Sequence, residues 1–110
     1  MFYPKRKNKY NAQTQKYNGR NYDSVKEANY AKELDWRIKA GEILEVIPQF
    51  KIDIKIDGKH WRNYFMDFKV IMADGTEEYH EVKGFATEVW KMKWDACKIL
   101  FPDWKFIVIY

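Results

Sequence analysis

The chain is almost without cysteine: Cys97 stands alone among 110 residues. That excludes a disulfide framework within the chain and any multi-cysteine zinc site. Proline and glycine are also sparse, at 3 and 5 residues, which excludes collagen-like or Pro/Gly-rich low-complexity architecture. No apolar run approaches the ~18–20 residues needed to span a bilayer, so no membrane partner is expected. The basic start Met1-Phe2-Tyr3-Pro4-Lys5-Arg6-Lys7 lacks a following apolar stretch, so no signal peptide is expected either. The expectation is a soluble, cytoplasmic chain. Its length suits one compact domain with a core of its own.

Acidic residues are missing altogether from positions 1–20. That stretch carries Lys5, Arg6, Lys7, Lys9, Lys16 and Arg20, a charge of +6, while the other 90 residues hold 14 basic and 16 acidic groups, or −2. The total of +4 is therefore an uneven sum. Phe2, Tyr3, Tyr10 and Tyr17 are interleaved with these bases. Lys and Arg neutralise phosphates and rings stack on bases, so the stretch suits nucleic acid. A solvated tail is the plainer reading of a charge run. With no periodicity of helix or strand, residues 1–20 read as a basic arm and residues 21–110 as the single domain.

Ser24 with Glu27 three residues on fits a capping box, opening a helix that runs to about Lys39 before Ala40-Gly41 stops it. Glu27, Ala31, Leu34 and Ile38 form its stripe. A short stretch from Ile43 to Pro48 leads to a strand in which Phe50, Ile52, Ile54 and Ile56 alternate with polar residues. Asp57-Gly58 is a turn signal. A second strand covers about 62–72, with Tyr64, Met66, Phe68, Val70 and Met72 on one face. A third covers about 76–83. Thr87 caps a second helix, about 88–100, and a final apolar strand over 105–110 returns parallel to the third. The order is α-β-β-β-α-β, an α/β mixed sheet flanked by helices.

The turn at Ala73-Asp74-Gly75 decides what the second and third strands can do. A three-residue loop with Gly75 left-handed makes paired positions sum to 148 and sets Asp67 opposite Glu81, with Lys83 further along the same face. A two-residue loop would put the two acids on opposite faces. In the first case their Cβ atoms stand ~5 Å apart, a destabilising like-charge pair. A divalent cation would offset it, since two carboxylates with waters and substrate oxygens make a usual Mg²⁺ site. Such a site binds a phosphodiester and activates water, with Lys83 to orient or deprotonate that water or to neutralise the developing charge. A solvated hairpin face with a Glu–Lys pair is the alternative.

Asp67 followed by Glu81-Val82-Lys83 resembles the Asp…Glu-x-Lys signature of the PD-(D/E)xK nuclease superfamily, whose core has the same α-β-β-β-α-β order. The stretches Lys16-Tyr17, Asp23-Ser24-Val25-Lys26-Glu27-Ala28, Pro48-Gln49, Met66-Asp67-Phe68 and Glu81-Val82-Lys83-Gly84-Phe85 are similar to a family of small phage proteins. The resemblance implies a restriction-endonuclease-like core and a Mg²⁺-dependent (or Mn²⁺-dependent) deoxyribonuclease, an endonuclease of phage recombination or replication in the bacterial host cytoplasm. It implies Asp67 and Glu81 as metal ligands, Lys83 at the attacking water, Glu27 assisting, and 5′-phosphate and 3′-hydroxyl ends. Met66 stands where the signature has Pro.

The expected partner is duplex, single-stranded or branched DNA, gripped by the basic arm, and a homodimer suits cutting two strands. The rival is a nucleic-acid-binding module without catalysis, or a phage protein acting on a host factor. Glu27 has two candidate roles, cap and metal site. Gln49 either serves a water or phosphate near the site or is a surface residue. Tyr79, on the face of Glu81, is expected to line the cleft. His80 should point to the opposite face, His60 to solvent, and Cys97, Trp90, Trp94 and Trp104 to the core. Lys91, Lys93 and Lys98 are either a solvated face, the commoner case for a charged helix, or contacts to the DNA backbone.

Overall fold

The computed structural model describes residues 24–110 together with the backbone of 15–17 and 20–22. Eight elements follow in order: β1 (Gln15–Tyr17), β2 (Arg20–Tyr22), α1 (Val25–Lys39), β3 (Ile43–Ile56), β4 (Lys59–Met72), β5 (Glu77–Val82), α2 (Glu88–Leu100) and β6 (Lys105–Ile109). The fold is α/β. β3, β4, β5 and β6 form one mixed sheet in that spatial order, antiparallel except for the parallel β5–β6 pair. The parallel return of β6 after α2 is the crossover expected from the element order.

Local chemistry sets the boundaries. The Ser24 Oγ accepts from the Glu27 N–H at 3.0 Å, closing the start of α1, and the Thr87 Oγ accepts from the Trp90 N–H at 3.1 Å to start α2. Each such cap is worth ~1 kcal/mol. Asp57 and Gly58 both have positive φ, 53° and 74°, as a two-residue hairpin requires. At the next hairpin Met72 donates its N–H to the Thr76 carbonyl at 2.8 Å, and Gly75 donates to the Met72 carbonyl at 2.9 Å with a φ of 88°. This is the three-residue loop. The ladder Phe68–His80, Lys69–Tyr79, Val70–Glu78, Ile71–Glu77 follows from it, each pair on the 148 register.

Two cores lie on opposite sides of the sheet. Ala28, Tyr30, Ala31 and Leu34 of α1 pack with Ile43, Phe68, Val70 and Val82. Trp94 and Cys97 of α2 pack with Ile52, Ile54, Tyr64, Met66 and Tyr79, and with Trp104 and Phe106. Tyr79 and Val82 on β5 thus serve opposite cores, as alternation demands.

Three sequence expectations need correcting. Residues 15–17 and 20–22 pair as an antiparallel ribbon beside α1, rather than belonging to an irregular arm. The chain between them reads Asn18-Gly19, a hairpin signal. The face Tyr64–Met72 is also not continuous: Tyr64 and Met66 join the α2 core, Phe68 and Val70 the α1 core. The break coincides with Gln49 on the neighbouring strand. Its φ is 52°, and the pair Gln49–Asp67 drops out between Pro48–Phe68 and Phe50–Met66. Finally, β6 is an edge strand of only half-buried residues after Lys105, rather than one covered on both faces. Among the described residues, no helix is long and apolar enough to cross a membrane.

Candidate active site

The site forms where β4 and β5 part. Their ladder ends at Phe68–His80. At the next residues in register, Asp67 and Glu81, side chain-to-backbone bonds replace the ladder. The Asp67 N–H donates to Glu81 Oε1 at 3.2 Å, and the Val82 N–H donates to Asp67 Oδ2 at 2.8 Å. The two carboxylates therefore lie together in the gap between strands, about 5 % and 4 % exposed. Two buried carboxylates side by side would be costly if both were bare ions; the backbone N–H groups stabilise one oxygen of each.

Lys83 lies beside this pair. Its Nζ is 3.3 Å from Glu81 Oε2, and its ammonium stands 4.9 Å from the centre of the Trp90 ring. Lys26, in the first turn of α1, donates from Nζ to the Lys83 carbonyl at 3.3 Å. Glu27 arrives from the same turn. Its backbone N–H serves the Ser24 cap, while its carboxylate reaches the gap, where Gln49 Nε2 donates to Glu27 Oε2 at 3.3 Å. Gln49 Nε2 also lies 3.5 Å from Asp67 Oδ1. The Glu27 amide thus serves the Ser24 cap while its carboxylate meets Gln49.

The electrostatics follow from burial. Asp67 is held well above the usual carboxylate range, first by loss of solvent and then by the charges of Glu81 and Glu27. Burial also raises Glu81, with the Lys83 ammonium opposing. Such a cluster attracts a proton or a cation. Among the described residues, no group of three or more His, Cys, Asp or Glu side chains is arranged as a metal shell. What the gap offers is a pair of hard carboxylate ligands, a donor set that suits Mg²⁺ when water and phosphate oxygens fill the remaining positions.

Asp67, Glu81, Lys83, Glu27 and Gln49 are thus brought together. Gln49 is buried rather than at the surface, because its left-handed backbone turns the side chain into the gap. Tyr79 is not in the cleft. It stacks on Trp104 at 4.4 Å, packs on Phe50 and Phe106, and donates to Glu77 Oε1 at 3.3 Å, a core aromatic with a polar tip. Lys16 and Arg20 fall on β1 and β2, while Lys5, Arg6, Lys7 and Lys9 lie outside the described residues. His80 faces away, with Nδ1 2.6 Å from the Tyr30 hydroxyl and Nε2 2.9 Å from Glu78. His60 is exposed beside Asp53, Cys97 is fully buried, and Lys91 pairs with Asp95 at 3.2 Å.

Sequence reasoning did not single out Tyr64. It is 3 % exposed, and its hydroxyl accepts from Trp90 Nε1 at 2.7 Å beside the Glu81 carboxylate. Nothing in the alternation of β4 distinguishes it from a core aromatic. Trp90 likewise does more than pack.

These features define an α/β domain with a buried acidic pair and a lysine at a fork in its sheet. The chain belongs to the family described as "Protein of unknown function (DUF1064)", whose model matches residues 7–109. No curated protein and no solved structure matches the chain.

Proposed function

We propose that this chain is a metal-dependent deoxyribonuclease with a restriction-endonuclease-like core. The supporting observation is the convergence of Asp67, Glu81 and Lys83 at the fork, with the two acids buried against each other and the lysine paired to one of them. A domain that only binds nucleic acid gains nothing from clustered acids near phosphate, where they repel it.

Asp67 and Glu81 would hold Mg²⁺ or Mn²⁺. When bound, such an ion lowers the pKa of water and stabilises charge developing on a phosphoryl group. Lys83 orients the attacking water and neutralises the pentavalent transition state. Glu27 and Gln49 set the position of Asp67 and of that water. Hydrolysis leaves 5′-phosphate and 3′-hydroxyl ends, as in the superfamily the signature resembles. The basic residues of positions 1–20 hold the DNA backbone, and a second copy would supply the cut in a second strand.

The test is incubation with supercoiled, linear, single-stranded and four-way-junction DNA in Mg²⁺, Mn²⁺ or EDTA. The expected result is cleavage that needs metal and vanishes in Asp67→Ala. Binding without cutting under every condition would instead indicate a nucleic-acid-binding module.

A further inference from the structure

The Trp90 side chain stands where α2 meets the site, and contacts on its edge and its face join it to Tyr64 and Lys83. Trp90 Nε1 donates to the Tyr64 hydroxyl at 2.7 Å. Burial first, and then the charge of the neighbouring Glu81 carboxylate, raise the Tyr64 phenol, which keeps its proton. Glu81 Oε2 lies 3.3 Å from Lys83 Nζ, and the Lys83 ammonium lies 4.9 Å from the centre of the Trp90 ring. The edge of one indole thus meets Tyr64, a neighbour of Glu81, and its face receives Lys83.

The indole itself is fixed from both sides. Its backbone N–H is tied to the Thr87 Oγ at the start of α2, and its ring stacks at 5.4 Å on Trp94, which is buried against the sheet. A lysine side chain carries ~2 kcal/mol of rotamer entropy. Holding its ammonium on an aromatic face and against a carboxylate reduces that freedom before substrate arrives.

We propose that Trp90 and Tyr64 are positioning residues, acting as one unit that fixes Glu81 for metal and Lys83 for the reacting water. The proposal rests on the nuclease reading. It makes α2 part of the site. If the indole N–H and the phenol only satisfy each other in the core, removing them lowers stability and leaves ligand affinity and turnover unchanged.

Three measurements on the full chain separate these cases. In metal-free wild-type protein, NMR should find the Lys83 side-chain methylene protons shifted upfield by the Trp90 ring, and Trp90→Leu should return them to ordinary values. Ordinary values in the wild type would overturn the ring-face contact. By EPR titration, Tyr64→Phe and Trp90→Phe should each weaken Mn²⁺ binding ~10-fold, in line with outer-sphere partners of metal ligands. The double variant should lose no more than the larger single effect, because both act through one hydrogen bond. In cleavage assays kcat should fall while the KM for DNA stays constant.

Variants whose melting is checked and that bind Mn²⁺ and cleave like the wild type would refute the proposal, as would losses that multiply in the double variant. Asp67→Ala supplies the control. If the wild type shows no Asp67-dependent Mn²⁺ site, the nuclease reading fails and this inference falls with it. If it shows that site but Tyr64→Phe and Trp90→Phe leave it intact, only this inference fails.

Discussion

Replacing Asp67 by asparagine removes one of three buried acids that crowd the fork between β4 and β5, and should stabilise the metal-free protein. The side chain keeps its shape. Its Oδ1 can still accept from the Val82 N–H, which now bonds Asp67 Oδ2 at 2.8 Å, and its amide can donate to Glu81 or Glu27. What disappears is a desolvated charge facing two like charges. Unit charges ~5 Å apart at an effective dielectric of 20 interact by ~3 kcal/mol. Replacing buried ionic groups by uncharged ones of similar volume is often neutral or stabilising, by up to ~4 kcal/mol. A gain of ~2 kcal/mol corresponds to ~10 °C in melting temperature for a domain of this size.

The effect has a defined pH dependence. Burial raises the Asp67 carboxyl above its unfolded value of 3.8, so the folded protein binds more protons than the unfolded one between the two pKa values. Stability therefore falls as pH rises through that interval. The advantage of Asp67→Asn should be full above the raised pKa and gone near pH 4. Thermal melting in EDTA at pH 8 and pH 4 measures it. Adding Mg²⁺ should reverse the ranking, because a cation present at 100 times its dissociation constant stabilises by ~2.7 kcal/mol, and the variant has lost a ligand. An Asp67→Asn protein that melts below the wild type in EDTA at pH 8 would refute the electrostatic reasoning.

Lys83→Met should leave Mn²⁺ binding within a few-fold while lowering kcat on DNA by ~10²–10⁴, the usual contribution of a group that moves or steadies a proton; calorimetry and cleavage rates check the two halves. The Cys97 thiol is fully buried and pushed up to about 11, so a thiol reagent at pH 8 should find no reactive group until denaturant unfolds the chain, and then one. His80 is buried, and its pKa is lowered first by loss of solvent. The folded state then binds fewer protons than the unfolded one below the usual 6.5, so stability is present above that pH and lost as pH falls. Denaturation midpoints between pH 7.5 and 5.5 should show this loss, and His80→Gln should flatten it.

The parts of this molecule that were legible in the sequence are those controlled by neighbouring residues. Asp74-Gly75 set the hairpin, and with it the register that brings Asp67 to Glu81, because a left-handed Gly75 closes one loop length and not the other. Asp74 adds to this locally: its Oδ1 accepts from the Thr76 N–H at 3.0 Å and from the Thr76 hydroxyl at 2.6 Å. Ser24 and Thr87 marked both helix starts in the same local way.

What escaped depended on distant partners. Gln49 takes a left-handed conformation that its own type does not announce, and the resulting break sends Met66 and Phe68 into different cores. Tyr64 and Trp90 meet across 26 positions of sequence, so neither spacing nor alternation could pair them. Tyr79 shares its strand face with Glu81, yet Trp104 and Phe106 from beyond α2 cover it. Alternation assigns a side; it does not say what else arrives there.

The most direct test of the central claim is an anomalous-scattering map from a crystal of the wild-type protein soaked in Mn²⁺. The account predicts a peak ~2.1 Å from an oxygen of Asp67 and an oxygen of Glu81, the distance of a hard six-coordinate divalent ion, and no such peak in Asp67→Ala crystals. A protein that cleaves DNA with its Mn²⁺ bound elsewhere, or that leaves this pair of carboxylates without metal at saturating Mn²⁺, would contradict it.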